Sequence, residues 1–576
     1  MTDITDTTRT TGPTGAAVPR QGGRPVEPAA SEACRLLCAG VYLDPRFRDT
    51  VLDELYVHEE RFVAPSVGFD AARVLAHAVR ARRMELGWAL GTVALLVVAL
   101  LITGWAFLLV AVPSLFLALT AVVTGPRVMT ALAYGVEWIL LTGIVVLLVV
   151  RSFADDPGPY AGSEQGSEFG PGSGSGPGGM DDPLDAFLGP SQARLTLLML
   201  ALVAVGVGIR RGVLARVLAV ELSTHHFPSV ASDPAITTAG SRLRRLSGRI
   251  RAEQHEPLVM YHSANPFLGV GVPRRPWTLA VELRPQSGRE PSAVGNAEVL
   301  RLILPLLEEL RASAAHTVRD RLRELTVDEC VFLPADGLQR RDGAPFHPSG
   351  IAEHHADSVE EGGEARRHFL RIKVGGWQEE LVVTVFVRVH TQGGMLMLEV
   401  APHVLRPVRE RFREGDGLAH RFRSNFWFGK LGWALRHAPA AVGESLVAVV
   451  RYLLAEWRRL AGGYGDALPE GPAVSVRELG SGEGASLFQE MDANRYLTSI
   501  QDRVTGGVRQ ALYEAGWQTA EFEQKIVNVS EGGVFIDSVR DSALAVGDHN
   551  EVRTGNTTTR ASTSDSDRAG DSHGRV

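Results

Sequence analysis

The pattern of hydrophobic and polar positions divides the chain into two kinds of segment. Residues Leu86 to Pro126 contain no charged side chain. A helix needs about 20 apolar residues to cross the hydrocarbon core of a bilayer. This stretch is therefore too long for one ordinary span and just long enough for two short ones. Thr103-Gly104-Trp105 is the natural break, with Trp105 at interfacial depth and Pro113 as a kink in the second span. Two further apolar runs follow. Arg194 opens the last one and Arg210-Arg211 cut it short, so it is the weakest. The pattern predicts a membrane α-helical bundle of four spans, at about 86–103, 105–124, 130–150 and 192–214.

Orientation follows from the arginines. Arg80, Arg82 and Arg83 precede the first span, Arg127 separates the second and third, and Arg210, Arg211 and Arg216 follow the fourth. With four spans all of them fall on one side, which the positive-inside rule makes cytoplasmic. The Gly-, Ser- and Pro-rich residues 153–190 then form a flexible external linker, and both termini are cytoplasmic. Three spans would put the arginines at 210–216 outside, against the rule. Glu137 is the only acid within a span. It is read either as an intramembrane carboxylate, as in a small-solute transporter or channel, or as a side chain reaching the interface beside Trp138. No second intramembrane charge and no inverted repeat accompany it.

Elsewhere the periodicity is that of water-soluble structure. Residues 1–30, rich in Thr, Gly and Pro, are expected to be disordered, with no cleavable signal peptide. Residues 31–85 read as cytoplasmic helices interrupted at Pro45 and Pro65. Cys34 and Cys38 share a helix face there, as a redox or lipidated pair or as part of an apolar face with Leu37 and Val41. Past the fourth span, Leu243, Leu246 and Ile250 line one side of a helix flanked by Arg242, Arg244, Arg245, Arg249 and Arg251. Those arginines could contact anionic lipid, or the helix could pack on the adjoining domain.

Residues 240–418 are expected to form a cytoplasmic α+β domain. Strands are predicted at 258–262, 277–283, 368–374, 380–390 and 395–404, and a helix at 297–325. The last two strands join as a hairpin across Thr391-Gln-Gly-Gly394. This grouping predicts an antiparallel sheet with helices on one face. Residues 424–460 carry an amphipathic stripe of Val442, Leu446, Val449, Val450, Leu453, Leu454, Trp457 and Leu460. It is expected to pack on the α+β domain, the alternative being a membrane surface met through Trp427, Trp433, Arg436 and Arg451. A linker at 464–484 and a helical segment at 485–524, broken at Gly506-Gly507, follow.

Composition narrows the chemistry. The net charge of −7 gives no case for a nucleic-acid partner. The only lysines are Lys373, Lys430 and Lys525, which leaves little for Schiff-base or phosphate chemistry. Three cysteines make no disulfide framework and fit a reducing compartment. No phosphate-binding Gly-rich loop, dinucleotide turn, nucleophile elbow or paired-histidine zinc helix is present. Glu353-His-His-Ala-Asp357 to His368 is rich in potential ligands but reads as a solvated loop, so neither a metal nor another cofactor is expected. A membrane-bound enzyme using His354, His355 and Asp357 is a further alternative. Without a convergent acid, base and nucleophile, the expectation is a protein that is not an enzyme.

Two resemblances add to this. Met260-Tyr-His-Ser-Ala-Asn-Pro-Phe-Leu-Gly-Val-Gly-Val272 with Trp277, and Gly376-Trp377-Gln-Glu-Glu-Leu-Val-Val-Thr384, resemble a domain of uncharacterised membrane proteins of high-GC bacteria. That resemblance implies a multi-pass protein of the bacterial cell membrane and no activity. In the tail, Val527 and Val529, then Val534 and Ile536, then Leu544 and Val546 alternate with polar residues, which predicts short strands over 525–556 before a disordered end at 557–576. The core Leu544-Ala-Val-Gly-Asp-His-Asn550 resembles the homotypic amyloid motif of necroptosis kinases and bacterial amyloid-signalling tails. Leu544, Val546, Gly547 and Asn550 match it, while Ala545 stands where Gln is usual. The resemblance implies self-assembly, or a protein partner with a like motif. A small β-solenoid turn or hairpin capping the domain is the plainer reading. The sequence thus describes a membrane-anchored, non-enzymatic protein with a cytoplasmic interaction platform and a homotypic tail.

Overall fold

The computed structural model describes residues 27–123, 128–153, 188–312, 321–377, 380–424, 426–462, 464 and 467–530. Ser31 caps α1 (Glu32–Leu43) by accepting from the Cys34 N–H, and Asp44 caps α2 (Pro45–Leu52), whose first residue is the proline predicted to break the run. Asp70 accepts from the Ala72 N–H and starts α3 (Ala71–Thr103), which runs 33 residues without interruption. Its first three turns are buried, whereas its second half exposes Leu90, Val97 and Leu101. Gly104, at φ +59°, ends α3 at the predicted break. A single 3-10 turn then leads to α4 (Leu108–Val123). The bundle is extended by α5 (Val128–Ser152) and α6 (Pro190–Arg216).

The buried start of α3 belongs to a helical collar. Its core joins Leu37, Phe47, Leu75, Leu218, Phe227 and Phe412 with Leu243 and Ile250 of α7 (Ser241–Gln254). Cys34 and Cys38 lie fully inside this core, where burial pushes the Cys38 thiol well above its ordinary range.

The α+β head is built on a seven-stranded sheet in the order β1-β4-β5-β6-β7-β2, with β3 also on β7. The strands are β1 (Leu258–Tyr261), β2 (Val272–Pro273), β3 (Trp277–Glu282), β4 (Thr326–Pro334), β5 (Arg367–Gly376), β6 (Leu381–Gln392) and β7 (Met395–Leu405). β1 and β4 pair in parallel and all other neighbours antiparallel, so the sheet is mixed and not purely antiparallel as predicted. The parallel pair needs a long crossover, and β2, β3 and α8 (Asn296–Glu309) supply it. The stripe Val299, Leu300, Ile303 and Leu307 ends with α8, so the helix predicted to 325 stops at Glu309 and the chain enters β4, which was not predicted. The β6–β7 hairpin is present as expected. Gly393 and Gly394, at φ +60° and +78°, make its two-residue turn, which demands left-handed backbone at both positions.

The remaining helices of more than one turn are α9 (Pro348–Val359), α10 (Glu410–Ser424), α11 (Trp427–Ala461), α12 (Leu487–Glu514) and α13 (Ala520–Ser530). Val385, Val387 and Leu398 pack with Ile303 of α8 and Ile500 and Val504 of α12. The second face packs around Phe267, Phe332, Phe369 and Phe386. The head therefore resumes after the predicted boundary at 418 and includes α12 and α13. It does not include α11. Ala434, Ala438, Ala441 and Val442 of α11 join the core of the bundle with Val110, Val203 and Ala204. The expected packing of residues 424–460 on the head is thus corrected. Small residues allow close backbone approach; of the predicted stripe Val442 joins this core, whereas Val450, Leu453, Leu454, Trp457 and Leu460 stay outside.

Two further readings change. α12 passes through Gly506-Gly507 unbroken, because a Cβ on Gly507 would lie 2.8 Å from Ile303 and glycine lets the two helices meet. Val527 and Val529 lie in α13 and not in a strand. The rest of the predicted β-rich tail, with Leu544, Val546, Gly547 and Asn550, lies outside the described residues, as do most of residues 1–30 and the linker 153–190. Among the described residues, three runs are long and apolar enough to cross a membrane: Ala71–Thr120, Pro190–Glu221 and Trp427–Ala461. Trp138–Ser152 is a shorter apolar helix. This set differs from the predicted four: it joins the first two into one run, holds the third only as the shorter helix, and adds α11.

Candidate functional site

The junction between bundle and collar holds a cavity of about 900 Å³. α3 contributes Ala89, α4 contributes Leu117 and Ala118, and α11 contributes Val447 and Ala448 as apolar lining. Its charged lining is Arg46, Arg210, Arg409, Arg411 and Arg451 beside Asp44, Glu85 and Glu444. Glu85 closes the polar part of α3. It forms an ion pair with Arg48 at 2.5 Å and lies 3.8 Å from Arg451, whose Nε is buried without a hydrogen-bond partner. Apolar walls beside an excess of guanidinium groups suit an amphiphile with an anionic head. A second cleft, of about 630 Å³, is lined by Arg35, Ser223 and His420. Its guanidinium is already held by Glu32 and Asp416 at 2.6 and 2.8 Å.

A buried polar chain fixes the collar. Arg73 donates to Asp233 at 2.8 Å and stacks 3.6 Å over Phe227. His77 lies 3.0 Å from the same carboxylate and 3.1 Å from the Tyr42 hydroxyl. Burial alone would raise the Asp233 carboxyl. The hydrogen bond and charge of His77, the Ala235 N–H and Arg73 outweigh burial and hold it well below the usual carboxylate range.

Residues 467–484, predicted as a linker, tie the head to the collar. Arg61 reaches Glu54 at 2.9 Å and Glu470 at 3.4 Å, and Glu54 accepts from the Ala473 and Val474 N–H groups. Arg477 is fully buried and donates to the Glu380 carbonyl at 2.6 Å, and burial lowers its guanidinium to about 10. Glu478 accepts from the N–H groups of Gly269 and Gly271 at 2.8 and 2.9 Å. Gly271 sits at φ +98° with its absent Cβ 2.4 Å from the Val404 carbonyl, so this loop can form only around glycine.

The residues singled out in the sequence are distributed unevenly over these features. Arg242 donates to Glu59 and the Tyr56 carbonyl, Arg244 to the Ala239 carbonyl, and Arg251 to Asp70, while Arg249 lies 3.9 Å from Glu253. Four of the proposed lipid-contact arginines thus have partners inside the protein, and the cavity brings together a different set. Trp433 stacks 3.6 Å under Arg211 of α6. Glu137 lies in α5, and its side chain is outside the described residues. The ligand-rich stretch 353–357 is helical in α9 and not a loop. His354 faces Arg366 at 3.2 Å, whereas His355 and His368 both meet Glu329 of β4. Glu329 was missed because its strand was missed; the short apolar run Cys330-Val-Phe-Leu333 ending at Pro334 is the signal that marks the strand.

No curated protein and no solved structure matches the chain. Residues 276–542 match the family model described as an AbeC-like domain. The match takes in β3 to β7 and α8 to α13, includes the helix α11 that packs on the bundle, and ends before Leu544. What the comparison shows is a similarity to the AbeC-like domain over most of the head and the helices that follow its sheet.

Proposed function

We propose that the chain is a membrane-anchored, non-enzymatic protein that presents its α+β head as an interaction platform at the cytoplasmic face of a bacterial cell membrane. The observation that carries this reading is the outward aim of large apolar side chains on the bundle, such as Leu101 at 81% exposure and Ile139 at 74%. An apolar surface of this extent needs a partner other than water. α3, α4, α5 and α6 are the four proposed spans. Arg80, Arg82, Arg210 and Arg216 all sit at the collar end, which supports a cytoplasmic collar and head. α11 is read as an interfacial helix and not a fifth span. It runs from Arg211 of α6 at Trp433, past Ser114 of α4 at Gly443, to Arg82 of α3 at Tyr452. Arg211 and Arg82 belong to the collar ends of their helices, about 28 Å apart along α11. Trp457 and Leu460 on its outer side then lie in the headgroup region.

The test uses single cysteines in the full chain, where Cys34, Cys38 and Cys330 are buried. With a membrane-impermeant maleimide on intact cells, Ser173→Cys should label and Ser263→Cys should label only after lysis. Labelling of Ser263→Cys in intact cells would overturn the orientation. The tail segment around Leu544, Val546, Gly547 and Asn550 is proposed, on its sequence, as the part through which platforms assemble or recruit a like partner. Val546→Asp in the full chain should abolish higher-order complexes in cross-linked membranes. Unchanged complexes in the variant would remove the tail from the account.

A further inference from the structure

Independently of the membrane reading, we propose that Glu329, His355 and His368 form a site for a divalent first-row transition cation of the Zn²⁺ type. The fold brings them together from three elements. Glu329 lies opposite Leu370 and His368 opposite Val331, so the two are diagonal neighbours on one face of the β4–β5 ladder. α9 packs over that face and brings His355 down on them. His355 Nε2 and His368 Nε2 lie 2.6 and 3.0 Å from the same carboxylate oxygen, Oε2 of Glu329. All three donor atoms fall within 4.8 Å of one another. The imidazole rings stand at 83° with centroids 5.1 Å apart, so they converge on the carboxylate edge-on and do not stack.

The donor set decides the class of ion. Two imidazoles and one carboxylate suit Zn²⁺ and its neighbours, whereas Ca²⁺ and Mg²⁺ need a shell of oxygens. Ligand bonds of about 2.1 Å in a tetrahedron place donor atoms roughly 3.4 Å apart. The existing spacing needs only a small outward movement of the partly exposed His355 and Glu329 to meet that. His368 is buried and fixes the inner corner, while the exposed side leaves a position for water. The nearby cation Arg366 is occupied by Glu361 and Asp357 and by His354, which places His354 outside the cluster and makes it the internal control. The competing explanation is a pair of imidazole–carboxylate hydrogen bonds with no ion.

The experiment uses tag-free full-length protein in detergent, stripped with chelator and titrated calorimetrically with ZnCl₂ and separately with CoCl₂. The expected result is saturable one-to-one binding. His355→Ala and Glu329→Gln should each weaken it by at least about 100-fold, because a direct ligand matters at least as much as an outer-shell partner. His354→Ala should leave it unchanged. Absence of saturable binding by the parent protein for both ions overturns the proposal, and so does an equal loss in His354→Ala. His355 is partly exposed on a helix, so its truncation does not threaten the fold.

Discussion

The head buries its large apolar side chains, whereas the bundle turns many of them outward. In the head, Ile303, Val385 and Leu398 are fully buried between sheet and helices, and the polar residues of α12 face outward. In the bundle, Val97, Leu147 and Val150 stand outside, while Ala99, Ala193, Ala204 and Ala438 share the interior with Phe107, Leu148 and Val203. Burying Ile303 from water supplies a driving force of about 1.5–3 kcal/mol. On the proposed membrane reading, no such force gathers large side chains among lipid tails, and close approach of small ones gains weight in the packing. Gly443 of α11 shows this best: its absent Cβ would lie 1.9 Å from the Ser114 carbonyl, and its N–H donates to the Ser114 hydroxyl at 2.7 Å. Composition alone does not separate the two regions; the direction of each side chain does.

The collar lies between the two regions, and the largest effect is expected there. Asp233→Asn leaves Arg73 buried without its counter-charge and should destabilise the collar by about 3–5 kcal/mol, read as a fall in the thermal midpoint of the detergent-solubilised protein. The wild-type protein carries a matching pH signature. The Asp233 carboxyl is held below its unfolded value near 3.9, so its contribution is complete at neutral pH. That contribution is lost only as pH falls below about 4 towards the folded value. The Asn variant should show a flatter loss of stability over the same acid range.

A charge placed on each exposed apolar surface sharpens the comparison. Val97→Arg, midway along the apolar part of α3, should cost about 2.5–3.5 kcal/mol of membrane insertion, seen as a smaller carbonate-resistant fraction. Leu304→Arg, on the outer side of α8, should change head stability by no more than about 0.5 kcal/mol. Equal tolerance at both positions would erase the distinction between the two surfaces. A smaller cost than that of Val97→Arg is expected for close packing inside the head. Gly507→Val forces α12 away from Ile303 and should cost about 1–3 kcal/mol in the head, with no change in carbonate resistance.

Much of this organisation was legible in the sequence because it depends on local pattern. The charge-free run from Leu86, the break at Gly104 and the Gly393-Gly394 hairpin are all local signals. The pieces that were missed depend on distant partners. Gly506-Gly507 read as a helix break because nothing local shows Ile303 waiting across the interface. The stripe from Val442 to Leu460 predicted a buried face, yet only its first residue Val442 is fully buried, beside the alanines of α11, and the residues from Val450 on stand outside. Residues 467–484 read as a linker because Arg61 and Gly271, which pair with Glu470 and with Glu478, are some 200 to 400 positions away. The Glu329, His355 and His368 cluster combines a strand that was not predicted with His355, assigned to a loop, and His368, at the start of a predicted strand. Only the ladder register of β4 with β5 and the seat of α9 unite them.

The most direct test of the account is the solvent met by the outward-facing side chains. Nitroxide labels at positions 97, 147 and 453, with one at 304 in the head, can be measured in lipid nanodiscs for collision with oxygen and with a water-soluble relaxant. Positions 97 and 147 should favour oxygen strongly, 453 should fall between, and 304 should favour the aqueous agent. Aqueous collision at 97 and 147 equal to that at 304 would contradict the membrane anchor on which the account rests.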